Sequence, residues 1–135
     1  MSDLREISLT LVGSATIDGQ GVAKQTIFTV PAGKIFIPFA VEITKPSATL
    51  AGLADMDVGA GANADDWLQQ ITLAAFTAVT DYGILMQPVQ AAGPPIVPAK
   101  KTHNVAGDVF GVLVNTGSTG AATFTASLFG FLIDA

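Results

Sequence analysis

Thr123-Phe124-Thr125-Ala126-Ser127-Leu128-Phe129-Gly130-Phe131-Leu132-Ile133 is the stretch on which the fold turns. Side chains alternate across a strand with a period of two, so Phe124, Ala126, Leu128, Gly130 and Leu132 share one face and Thr123, Thr125, Ser127, Phe129 and Phe131 the other. The first face is apolar throughout, while the second turns from polar to aromatic after Ser127. The C-terminal half of this strand is therefore expected to be covered on both sides. Just upstream, Val109 to Val114 is a second strand, and Asn115-Thr116-Gly117-Ser118-Thr119-Gly120 supplies turn residues between the two. Together they read as a hairpin.

Ile35 to Thr44 repeats the pattern, with Ile35, Ile37, Phe39, Val41 and Ile43 on one face, Phe36 on the other, and Pro38 marking an edge or a bulge. Glu6 to Leu11 reads as a first strand with Ile7, Leu9 and Leu11 inward, Asp18-Gly19-Gln20-Gly21 as a turn, and Val22 to Val30 as a second strand. The expected core is Leu9, Leu11, Ile27, Phe28, Ile35, Ile37, Phe39, Val41, Val112, Val114, Phe124 and Leu128. Asn63 or Asp65 is read as the cap of a single helical turn through Trp67, Leu68 and Gln70, Thr72 to Thr80 as a strand, and Gly83 to Met86 as another. Eight or nine short strands with almost no helix predict an antiparallel sandwich or barrel.

With 135 residues, half of them apolar, the chain has the size of one domain and carries enough apolar surface to order itself without disulfides. The expectation is a single domain over residues 1–135, with Met1 to Glu6 as a flexible arm. No apolar run is long enough to cross a membrane, and Asp3, Arg5 and Glu6 interrupt the start, so synthesis and folding in the cytoplasm are expected, with no membrane partner. Six Lys and Arg against eleven Asp and Glu, a net charge of -5, leave no basic stripe for phosphates, and nucleic acid is not expected as a partner. Zero cysteines exclude thiol nucleophiles and Cys-zinc sites, and His103 is the single imidazole. This composition argues against most enzymes, and neither a catalytic residue nor a cofactor is predicted.

Four constellations of residues have the types that chemistry would need. Asp55, Asp57, Asn63, Asp65 and Asp66 place oxygens at positions one, three, nine, eleven and twelve of a twelve-residue loop, a spacing that echoes a calcium-binding EF-hand. Gly59 at position five, Ala60 at six and the short Asp66 at twelve depart from that pattern; the alternative is a strand with Met56 and Val58 inward, followed by a capping loop. His103 has only Lys100, Lys101 and Asn104 beside it, and a metal there would need carboxylates from elsewhere. Asp65, Asp66, Asp81 and Asp108 are the carboxylates from which an acid/base pair would be drawn, though Asp108 reads more simply as a turn residue. Trp67, Tyr82 and the eight Phe sit mostly at alternating strand positions and are assigned to the core rather than to a sugar-stacking platform.

Thr26-Ile27-Phe28-Thr29-Val30-Pro31-Ala32-Gly33-Lys34-Ile35-Phe36-Ile37-Pro38, and Ala106 to Val114 with the closing Thr123 to Ile133 strand, resemble the small jelly-roll structural proteins of tailed bacteriophages, capsid decoration or cement proteins among them. The resemblance implies an all-β, single-domain antiparallel jelly-roll sandwich and a non-catalytic homotrimer on the outer surface of the virion. The major capsid protein is the implied partner, and stabilisation of the head the implied role. Tail-tip or fibre modules that bind a carbohydrate receptor share such phrases and form the alternative; a small jelly-roll metalloenzyme with His103 at a metal is the third. The proline-rich segment around Pro94, Pro95, Ile96, Val97 and Pro98 is the expected interface, because its prolines reduce the entropy lost when Ile96 and Val97 dock.

Overall fold

The computed structural model describes residues 8–21, 23–52, 54–86 and 103–135, with 54 and 55 by their backbone alone. The described residues form nine strands: β1 (Thr10–Asp18), β2 (Gln25–Thr29), β3 (Lys34–Thr44), β4 (Ala54–Gly59), β5 (Leu68–Ile71), β6 (Gly83–Met86), β7 (Asn104–Val105), β8 (Val109–Thr116) and β9 (Thr123–Asp134). One sheet runs β1-β9-β3-β6, with β7 on β3; the other runs β2-β8-β4-β5, and every pairing is antiparallel. The protein is all-β, and this strand order is that of a jelly-roll sandwich. No helix among the described residues is long and apolar enough to cross a membrane.

The hairpin expected from β8 and β9 does not form. β8 lies between β2 and β4 and β9 between β1 and β3, so the two strands belong to opposite sheets. Residues 117–122 cross the sandwich instead, tied to the turn after β1 by Gly19 N–H donating to Ala122 O (2.8 Å) and Ser118 N–H to Gly19 O (2.9 Å). Six connecting residues permit either a loose hairpin or a crossing, and only the burial of both apolar faces selects the second.

Aromatic rings fill the space between the sheets. Phe110 of β8 meets Phe36 of β3 edge to face (centroids 5.5 Å, 90°) and Trp67 (5.7 Å, 66°), and Phe28 packs on Phe36 (5.3 Å, 70°). Each such pair contributes about 0.5–1.5 kcal/mol beyond the area it buries. Ile17, Val41, Ile43, Met56, Val58, Val112, Phe124 and Leu128 belong to the same core.

Five expected core positions lie elsewhere. Leu9, Leu11 and Phe39 are exposed, and Ile35 and Ile37 are only half-buried, whereas Phe36 and Pro38 point inward. A bulge explains the inversion: β3 pairs with β9 as Pro38↔Gly130 and then Ala40↔Phe129, so Phe39 is the extra residue. One inserted residue flips the phase, and even-numbered residues face the core before it while Val41 and Ile43 do so after it. A second bulge, between Leu11 and Gly13, shifts β1, which also begins later than expected, at Thr10.

Two further expectations fail. Trp67 to Gln70 is no helical turn; Leu68 and Ile71 are buried in β5 opposite Val58 and Met56, and Gln70 takes a φ of 53°, a conformation no helix contains. Apolar residues three apart mimic a helix here because that positive φ rotates the strand. Thr72 to Thr80 is a succession of turns, with Phe76 N–H donating to Leu73 O (2.9 Å) and Asp81 N–H to Ala78 O (3.0 Å).

Candidate functional site

The acidic loop is held from inside by a lysine. Lys24, just ahead of β2, donates its ammonium protons to Ala60 O (2.8 Å), Gly61 O (3.0 Å) and Val109 O. Burial lowers its pKa from the ordinary lysine value, and the carboxylates of Asp66 and Asp108 oppose that shift. Asp66 accepts Ala60 N–H at Oδ1 (2.7 Å) and Gly61 N–H at Oδ2 (3.0 Å). Gly59 leaves room for it, since a Cβ there would collide with that same Oδ1.

The ligands imagined for calcium are thus divided among other tasks. Asp57 is buried, with Oδ1 accepting Gln70 N–H (2.8 Å) and Oδ2 accepting from Asn115 Nδ2 (3.0 Å), which stabilises the unusual backbone at Gln70. Asn63 is exposed, and Asp65 receives the Gln69 amide on its backbone carbonyl. The Asp55 side chain lies outside the described residues. Among the described residues no group of three His, Asp or Glu side chains stands where a metal could be held.

His103 is exposed at the entry to β7. The carboxylates considered for acid/base work serve their own turns: Asp81 Oδ2 accepts Thr77 N–H (2.8 Å) and Ala78 N–H (2.9 Å), and Asp108 Oδ2 accepts Val105 N–H (2.9 Å). Asp81 does share a shallow depression of about 350 Å³ with Glu42, Thr44, Lys45, Val79, Thr80 and Tyr82. Tyr82, assigned to the core from sequence, is 77% exposed there. Pro94, Pro95, Ile96, Val97, Pro98 and Met1 to Glu6 lie outside the described residues.

A surface that sequence reasoning missed covers half of the outer face of the β1-β9-β3-β6 sheet. Leu9, Leu11, Phe39, Ile84 and Met86 are 48%, 53%, 44%, 59% and 47% exposed. A cavity of about 160 Å³ lies among Leu9, Phe39, Ala40, Glu42, Ile84, Met86 and Phe129. Phe131 stands edge to face on Phe39 (6.1 Å, 81°). Toward the other end of the same face the residues turn polar, with Ser14 and Ser127 hydrogen-bonded to each other (2.8 Å). The change of character after Ser127 in β9 was the one signal for this patch in the sequence.

No protein-family model matches the chain, and no curated protein matches it. Among solved structures, the chain is similar to one in the capsid asymmetric unit of cyanophage Pam1, with a TM-score of 0.53 over 93% of this chain and 84% of that one. The likeness is one of fold. At 13% identity it rests on strand order and packing, not on shared side chains.

Proposed function

We propose that this chain is a non-catalytic viral structural protein, a capsid decoration or cement protein that binds the outer capsid surface as a homotrimer and stabilises the head. The observation that carries the reading is the fold likeness to a component of the Pam1 capsid along nearly the whole chain. The arrangement of the polar side chains supports it. Asp57, Asp66, Asp81 and Asp108 hold backbone, and Lys24 binds carbonyls, so the residues with most chemical potential serve rigidity. The major capsid protein is the proposed partner, the virion surface the proposed location, and neither nucleic acid nor membrane a partner.

Gold-labelled antibody on purified particles tests the assignment. Label over the head, and heads that release their genome at lower temperature when the protein is stripped, are the expected results; label confined to the tail would overturn it. That second outcome is the one favoured by the Tyr82 depression, where an exposed ring beside Glu42 and Asp81 has the equipment for stacking on a sugar and accepting its hydroxyl protons. A glycan-binding tail-tip or fibre module is therefore the second reading.

A further inference from the structure

We infer that the apolar half of the outer β1-β9-β3-β6 face is the surface through which copies of this chain associate. The inference deepens the trimeric assembly proposed above and rests on it. In the register, Leu11↔Phe129, Ile37↔Phe131 and Ala40↔Met86 point away from the core side by side, because the bulges at Leu11/Gly13 and Pro38/Ala40 bring them into phase. The face is therefore built by two register shifts at the same level of β1 and β3, the strands that flank β9.

Its size decides what can cover it. With large side chains of roughly 150–250 Å² each, the exposed fractions of Leu9, Leu11, Phe39, Ile84 and Met86 amount to about 450 Å² of apolar surface. The flanking rings of Phe129 and Phe131, the half-buried isoleucines and the exposed Val105 bring the face to roughly 700 Å², above the largest patch usual on a monomer and near the ~800 Å² each partner gives a stable interface. Around a threefold axis each copy shares this face with two further copies of the same chemistry, and among the described residues Glu42 is the single ionisable group lining the central cavity, so little desolvation opposes the contact.

Light scattering after gel filtration, at tens of micromolar protein, tests the inference on the full chain. The wild type is expected as a trimer and the double variant Leu11→Lys/Ile84→Lys as a monomer with an unchanged β circular-dichroism spectrum, while Val79→Lys, beside Tyr82, keeps the wild-type mass. If the double variant is misfolded, Ile84→Lys alone, at the most exposed of the five positions, is read in the same way. Folded charge variants that keep the wild-type mass would overturn the face and leave trimerisation standing. A monomeric wild type would overturn both, and a wild-type dimer dissociated by the same variants would uphold the face and correct the number of chains.

Discussion

Lys24 shows how one side chain can take the place of a bound ion. Its ammonium satisfies carbonyls of the Ala60–Gly61 turn that would otherwise lie part-buried and unpaired, while Asp66 caps the N–H groups of the same turn. Lys24→Met is expected to cost about 1–3 kcal/mol in urea denaturation, because the carbonyls lose a charged donor without gaining water. The pH dependence has a definite sign. Burial lowers the folded-state pKa of Lys24, so between that value and the unfolded value of 10.5 the unfolded chain binds more protons, and stability rises with pH. The stability of the wild type relative to Lys24→Met should accordingly increase across that alkaline window, and a difference that falls instead would assign the shift to another group. Since the lysine already occupies the loop, millimolar calcium should leave the wild-type melting midpoint where chelator leaves it. Gly130 is another residue whose identity is dictated: a Cβ there would collide with Ile37 O and the Phe36 ring. Gly130→Ala should destabilise by about 1–3 kcal/mol through forced displacement of β3, measurable as a lower urea midpoint at constant slope.

At the scale of elements, the central β3 strand is controlled by its bulge. Phe39 is the inserted residue that lets Phe36 and Pro38 face inward on one side and Val41 and Ile43 on the other. Deleting Phe39 would place one of these sets in solvent, so the expected product is insoluble or lacks the cooperative melt, whereas Phe39→Ala keeps the bulge and should fold. A soluble, cooperatively melting deletion variant would show that the strand can slip its register at small cost. β5 makes a related point. Its Leu68 and Ile71 stand three apart, a helical spacing, yet the buried Asp57 carboxylate holds Gln70 N–H and fixes the strand against β4. The strand periods of β4, β8 and β9 were legible in the sequence because the extra residue at each of their register shifts lies on the partner strand, in β5, β2, β1 or β3. β1 and β3 were misread for the opposite reason, each carrying a bulge on which a period of two gives no information.

For the whole molecule, Phe110 of one sheet meets Phe36 of the other, with Trp67 beside β5 on the same ring, and β1 and β2 lie in opposite sheets, so neither sheet has a core of its own. The chain is expected to unfold as one domain, with a single calorimetric transition whose van't Hoff and calorimetric enthalpies agree; two resolved transitions would divide it. What the sequence determined by itself was the class of fold. The alternation of Thr123 to Ile133 and Ile35 to Thr44, the glycine and proline punctuation, and the absence of cysteine are local properties that act through backbone geometry and side-chain period alone. Tertiary structure decided where those strands go. It put β8 and β9 in different sheets, gave Lys24 to a loop 36 residues away in sequence, and left the rings after Ser127 on an open face. These outcomes depend on which surfaces meet, and the energy that selects them, burial of apolar area and pairing of buried polar groups, exists only once segments distant in the chain are in contact.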